Sequence, residues 1–404
     1  MVFSALTNSE IMEKVFSHFG GNELKTMSLV CTSWYDIIAQ SLTCMAKFKL
    51  VINYNERKPK TMEPKEALIN SKRKYQNITI YNEHSTPVVI PADDLLILTK
   101  SGRKWNEVKL KCLNFESNLE MINFFGIFEP TVTKMYLSHI NFKYYSDSII
   151  EFTFPKLKIL KTRLCTSIVQ FDMFRDCKTL VEFKMQCARY ASCENEDNLR
   201  NLLYGNRKLK VLTFDCIFFY RIFEEDISKG ISFQLKELKT TGIQQKNDLA
   251  DKHFNMFLNT QSQCLEKLNL GTWMGRQTIR TVFSKLNVLQ ELTLCKYELI
   301  GFTVDNNLHD MDQNLSIKTL NIGCGKARIL KMLIASCPNT KSLTVGNVNH
   351  DFLVFASNSL INLEKIYIGT EKSPAEFIRK YNLFSSCKLV HCLGYIPISE
   401  LQIN

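Results

Sequence analysis

Leu265-Glu266-Lys267-Leu268-Asn269-Leu270 is a six-residue figure with apolar residues at positions one, four and six. Side chains alternate across a strand, so Leu268 and Leu270 point to one face and Lys267 and Asn269 to the other. Leu265 begins the inward turn ahead of it. The figure returns as Leu289-Gln290-Glu291-Leu292-Thr293-Leu294 and as Leu363-Glu364-Lys365-Ile366-Tyr367-Ile368. A unit this short cannot bury its own apolar face, so it predicts a fold built by stacking copies.

Working outward, the first positions of the copies are Tyr75, Trp105, Val132, Leu157, Leu180, Leu209, Leu235, Leu265, Leu289, Ile317, Thr340, Leu363 and Leu389. These thirteen starts lie 23 to 30 residues apart. The mean of about 26 falls within the range of leucine-rich repeats. Some copies are degraded: Thr162 and Thr240 take the sixth, apolar position, and Leu389 is followed only by Cys392 and Gly394. Helical segments fill the gaps. Leu199, Leu202 and Leu203 share one face, as do Ile329, Leu330, Leu333 and Ile334. The expected fold class is therefore an α/β solenoid, a leucine-rich-repeat horseshoe of about 13 repeats with a parallel concave sheet and helices outside.

A stacked array also explains how 404 residues can avoid splitting into several compact cores. Apolar content of 45% and charged content of 23% are those of an ordinary folded, water-soluble chain. Glu10, Glu13 and Lys14 interrupt the first nineteen residues, so no secretory signal is expected, and no run of 18 apolar residues suggests a membrane span. The fourteen cysteines form no Cys-x-x-Cys pair. They read as small buried apolar residues in a reducing, cytoplasmic or nuclear setting, which would leave the sequons at Asn77 and Asn314 idle.

Residues 1–45 break the repeat pattern. Ile11, Val15 and Phe19 fall at i, i+4 and i+8 with Met12 and Phe16 beside them, which predicts an amphipathic helix stopped by Gly20-Gly21-Asn22. A second helix from about Glu23 would use Leu24, Met27 and Cys31, and a third would carry Trp34, Ile37 and Ile38. Three short helices make a marginal unit, so some of these apolar groups are left for a partner. Residues 46–74 follow. Phe48, Leu50, Ile52 and Tyr54 alternate as a strand that could cap the array. The stretch from Glu56 to Lys74 holds seven Lys/Arg against three Glu, and reads either as a solvated connector or as a phosphate-binding patch.

The line Glu10-Ile11-Met12-Glu13-Lys14-Val15-Phe16-Ser17-His18-Phe19, then Glu23-Leu24, then Ser28-Leu29-Val30-Cys31-Thr32-Ser33-Trp34, resembles an F-box. Its Leu-Val-Cys-x-x-Trp portion is the most specific part. Asn8 stands where the family's proline would be, and Thr7 stands in the preceding leucine slot with Leu6 one residue early. The resemblance covers about Leu6 to Ile38. It implies a three-helix F-box that docks on the Skp-type adaptor, and through it the cullin, of a ubiquitin ligase. The family's contact role maps onto Ile11, Val15, Phe16, Leu24, Leu29, Val30 and Trp34. The chain would then divide into 1–45 F-box, 46–74 basic connector or cap, and 75–404 repeats. Cys177, Cys264, Cys337 and Cys387 lie just before strands. Cys112, Cys187, Cys216 and Cys324 lie two residues after a strand's last apolar position. This resembles the cysteine-containing class of leucine-rich repeat often found behind an F-box.

Catalytic signals are absent from the sequence. The seven histidines make no metal-type spacing, so neither a metal nor another cofactor is expected. Gly323-Cys324-Gly325-Lys326 fails as a phosphate loop, because Leu320 occupies the first glycine position and Ala327 the Ser/Thr position. The chain reads as a non-enzyme.

The outward positions between the leucines would form the binding face. Across residues 105–240 they include Lys109, Lys111, Lys134, Lys161, Arg163, Lys184 and Lys239 against Glu107, Glu182, Asp215 and Glu237. That is a surplus of three positive charges on an overall charge of +11. From 265 onward the same positions become Asn269, Thr293, Asn321, Ser342, Thr344 and Tyr367, with glycine at the seventh position in several copies. The lysines are either a solvated sheet face or a site for an acidic or phosphorylated protein substrate. Two other readings stay open: a scaffold that binds through the repeats without ligase work, and a nucleic-acid binder using Lys109 to Lys239.

Overall fold

The structure is a computed structural model, and it describes residues 9–54, 71, 73–83, 87–90, 96–99, 101–142, 152–165, 173–186, 196–215, 231–241, 248–271, 276–294, 311–323, 327–346, 348–369 and 374–393. Two compact units divide the chain: Met1–Leu180 with Cys187–Gly205, and Val181–Gln186 with Asn206–Asn404. Fourteen strands follow one another in chain order as a parallel sheet, with helices between many of them, an arrangement consistent with a solenoid. Among the described residues every strand pairing is parallel, and no antiparallel hairpin occurs. Each strand passes to a parallel neighbour through a connection long enough to return the chain to the same edge.

The described residues of the first unit begin with four helices: α1 (Ser9–Phe16), α2 (Gly21–Met27), α3 (Thr32–Gln40) and α4 (Leu42–Met45). The sequence predicts three helices here; the fourth turn, too short for a periodic signal, is capped by Ser41, whose Oγ accepts from the Cys44 amide at 3.2 Å. Gly20 is the N-cap of α2, and its amide donates to Glu23 Oε2 at 2.7 Å. Gly21 sits where a Cβ would lie 2.9 Å from the Lys47 carbonyl, so glycine there permits close approach of the chain beyond α4.

Strands Lys49–Asn53, Asn77–Tyr81, Glu107–Lys111, Lys134–Ser138 and Ile159–Arg163 follow, in register from one to the next. Their inward residues are buried, including Thr162, which is 4% exposed in an apolar slot and whose hydroxyl finds no hydrogen-bond partner. Aromatic residues fill the space behind the sheet: Phe124 meets Phe128 at 5.1 Å and Phe125 at 5.4 Å between ring centroids, and Trp105 meets Phe128 edge-on. Cys112, His139 and Leu164 each follow a strand directly, and all three have positive φ, at 55°, 53° and 50°. Each turns the chain sharply off the sheet at a cost of about 1–2 kcal/mol for a residue with a Cβ. Cysteine is thus one of three residues that serve in this bend, and its chemistry is not what the bend needs.

The second unit repeats the pattern, with an aliphatic row running along successive strands. Leu238, Leu268, Leu292, Leu320, Leu343 and Ile366 stand opposite one another along successive strands, each no more than 1% exposed. Both sequon asparagines are engaged. Asn314 is buried and donates to the Val282 and Leu286 carbonyls at 3.1 and 2.9 Å, and Asn77 donates to the Ala46 carbonyl at 2.7 Å. The buried Asn314 side chain is closed to modification in the folded chain.

Glu364 accepts from Lys341 at 3.0 Å and Lys388 at 2.9 Å, linking three successive coils. Hydrogen bonds from Lys388 and then Lys341 hold its carboxyl at about 2, below the ordinary 4.5. A lowered folded-state value stabilises the fold above the ordinary value, and that contribution is lost as pH falls from about 4.5 toward about 2. Glu364→Gln should lower the melting temperature slightly at neutral pH, since the trio is solvent-screened. The gap between variant and wild type should close across that acid window in thermal melts. A gap that stays constant with pH would contradict the ion-pair account.

Candidate functional site

The helical unit carries two kinds of apolar residue. Met12, Phe16, Leu24, Ile38, Cys44, Met45 and Phe48 form its core, with Trp34 packed on Phe16 at 5.2 Å between ring centroids. Ile11, Val15, Leu29 and Val30 are 46%, 43%, 83% and 62% exposed. The broad apolar face of α1 is therefore divided: Met12 and Phe16 are buried with Phe19 packed partly against the same core, while Ile11 and Val15 stay exposed. Both parts are apolar, and the sequence does not say which one faces the core. Of the residues assigned to adaptor contact, Phe16 and Leu24 lie inside the core, Trp34 is half-buried, and the other four are on the surface. Cys31 is also not in the core: it is exposed and caps α3, its Sγ accepting from the Trp34 amide at 3.5 Å. Asn8, Thr7 and Leu6, the departures from the family pattern, lie outside the described residues.

The helices are fixed to the first strands by polar contacts that the sequence reading missed. Arg73 lies between the Tyr35 and Phe48 rings at 5.3 and 5.4 Å and donates to Ser28 Oγ at 3.3 Å. Arg103 donates to the Arg73 and Ser71 carbonyls. Burial pushes its guanidinium below the ordinary value. The Lys74 amide donates to the Ala39 carbonyl and Gln76 to the Leu42 carbonyl, each at 3.2 Å. Pairing two arginines to rings and carbonyls leaves no signal in residue spacing.

On the open face of the first unit's sheet, Lys109, Tyr136 and Lys161 are opposite one another on neighbouring strands. The Tyr136 ring has Lys109 Nζ at 4.7 Å and Lys161 Nζ at 5.3 Å from its centroid. Tyr136 was not among the sequence candidates, although its place between two lysines in register could have marked it. Lys109 also pairs with Glu107 at 2.9 Å. Lys111, Lys134 and Arg163 share this face and have no ion-pair partner among the described residues.

In the second unit, Lys184 pairs with Glu182 at 3.0 Å, within one strand. Lys239 is exposed, and Asn269 sits half-buried beside it in register. Farther on, Thr293, Asn321 and Thr344 are nearly buried, with Asn321 donating to Thr293 Oγ1 at 3.0 Å, and Tyr367 neighbours His391.

Among the described residues, no group of three or more His, Cys, Asp or Glu could hold a metal ion, and no helix is long and apolar enough to cross a membrane. Burial raises the thiols of Cys165, to about 11, and of Cys177 and Cys337, which suits packing groups rather than nucleophiles. Gly323 directly follows the strand Thr319–Ile322, while Cys324, Gly325, Lys326 and most of the basic stretch 56–74 lie outside the described residues.

No curated protein matches the chain. A family model, the F-box domain, does match residues 8–42, the stretch that holds α1 to α3 and the exposed Ile11, Val15, Leu29 and Val30. The chain therefore carries an F-box domain, the element by which generally non-catalytic subunits bind a Skp-type adaptor within a Skp–cullin–F-box ubiquitin ligase.

Proposed function

We propose that this protein is a substrate receptor of a Skp–cullin–F-box ubiquitin ligase, built as an F-box (1–45), a basic connector (46–74) and leucine-rich repeats (75–404). The observation that carries the reading is the pair Leu29 and Val30, exposed at the turn between α2 and α3 inside the matched F-box. Large apolar groups held in water on a small folded unit mark a surface that a partner covers. In this reading Ile11, Val15, Leu29 and Val30 meet the adaptor, while Phe16, Leu24 and Trp34 hold the helices that present them. The repeats present a protein substrate on the open sheet face, around Lys109, Lys134, Lys161 and Arg163 in one unit and Lys184, Lys239, Asn269 and Tyr367 in the other. No bond is made or broken by this chain. Its contribution is positional: it raises the effective concentration of a substrate lysine near the charged conjugating enzyme.

Leu29→Asp with Val30→Asp places two charges on the docking surface and leaves the core intact. Adaptor co-purification should be abolished while the melting curve is unchanged. Undiminished co-purification would sink the docking assignment.

A further inference from the structure

We propose that a groove on the first unit, where α4 meets the starts of the first strands, binds a small soluble anion bearing several phosphate groups. The groove has a volume of about 610 Å³. That is the size of a small-molecule site. Among the described residues fourteen line it; five are Lys or Arg and none is Asp or Glu. Arg73 and Arg103 are occupied in joining helices to strands, as described above. Lys74, Lys104 and Lys156 are different. Each immediately precedes the first position of a repeat, before Tyr75, Trp105 and Leu157, so the stacking of coils brings them to one edge. All three are exposed, and none has an ion-pair partner among the described residues. Neighbouring coils are spaced by about 4.7–4.9 Å. Lys74 and Lys104 stand one coil apart and Lys156 two coils further. One small ligand with several charges can engage all three, where a single carboxylate cannot. Trp105 closes the floor of the groove and is fully buried. Lysine is a flexible point-charge partner for phosphate, and removing several uncompensated cations from mutual repulsion favours binding.

The site is separate from the adaptor-docking residues, so it can be tested alone. Calorimetric titration of the full chain with sodium tripolyphosphate should show binding that weakens as salt is raised. The triple variant K74E/K104E/K156E should bind at least about tenfold more weakly, three screened ion pairs being lost. A control of equal charge change on the second unit, K285E/K318E/K365E, should bind as wild type does; both triples replace exposed lysines, and unchanged melting curves verify their folding. The proposal is overturned if tripolyphosphate does not bind, if the groove triple binds like wild type, or if the control loses as much. It is equally overturned if polyglutamate binds as tightly, which would assign the groove to acidic polypeptide. Binding only to phosphatidylcholine vesicles doped with phosphatidic acid would assign it to a membrane surface.

Discussion

Leu268→Asp should cost on the order of 3–5 kcal/mol, because it places an unpaired charge in a slot made for a leucine. The native side chain is 1% exposed and stands between Leu238 and Leu292, both fully buried, on the adjoining strands. Two effects act together. The carboxylate loses water with no donor facing it, and the leucine's contacts with both neighbours disappear. A domain's whole stability is typically only about 5–15 kcal/mol. In a stacked array the loss is also felt first by the coils that touch the damaged one, because each copy is stabilised chiefly through its neighbours. Circular dichroism during denaturant titration should therefore show an earlier transition, with part of the signal lost ahead of the rest. The comparison variant is Lys267→Ala, one residue away on the open face. It gives up only the 3.4 Å pair with Glu291 between half-exposed groups, for a change of about 0.2–1 kcal/mol. Equal melting of Leu268→Asp and wild type would mean that the strand register is wrong.

The sheet was readable because its information is redundant. The alternation in Leu265 to Leu270 recurs so often that degraded copies do not matter, and even Thr162 and Thr240 occupy the inward slots their copies assign them. The helical unit was harder. Met12/Phe16 and Ile11/Val15 are chemically equivalent stripes on one short helix, and only the packing of Ile38, Met45 and Phe48 decides which is inside. A domain that keeps apolar groups for a partner erases the signal that normally separates core from surface. The charges of the sheet face were counted correctly, but counting could not show that Lys109 and Lys184 are half-neutralised by a glutamate two residues earlier on the same strand. Nor does spacing reveal a contact such as Arg73 between Tyr35 and Phe48, since its partners come from 38 and 25 residues upstream.

That division between core and surface gives the second large effect. Phe16→Ala should cost about 3–5 kcal/mol, the usual range for removing a buried aromatic ring. Phe16 is 1% exposed, and its loss opens a cavity against Trp34 and the rest of the helical core. Fewer than about 40 residues supply that core, a size at which a domain rarely holds by itself. The bonds from Arg73, Lys74 and Asn77 to the helices are then what retains them on the first strands. Adaptor binding by this variant should be close to normal in the cold and fail on warming, in step with loss of helical signal. Val15→Glu should behave in the opposite way. Val15 is exposed on the same helix, so its replacement leaves the melting curve in place and weakens adaptor binding at every temperature. If both variants lose binding only when the helices melt, Val15 is no part of the contact surface. If Phe16→Ala loses binding in the cold with its helices intact, Phe16 itself reaches the adaptor, and the F-box opens its core on docking.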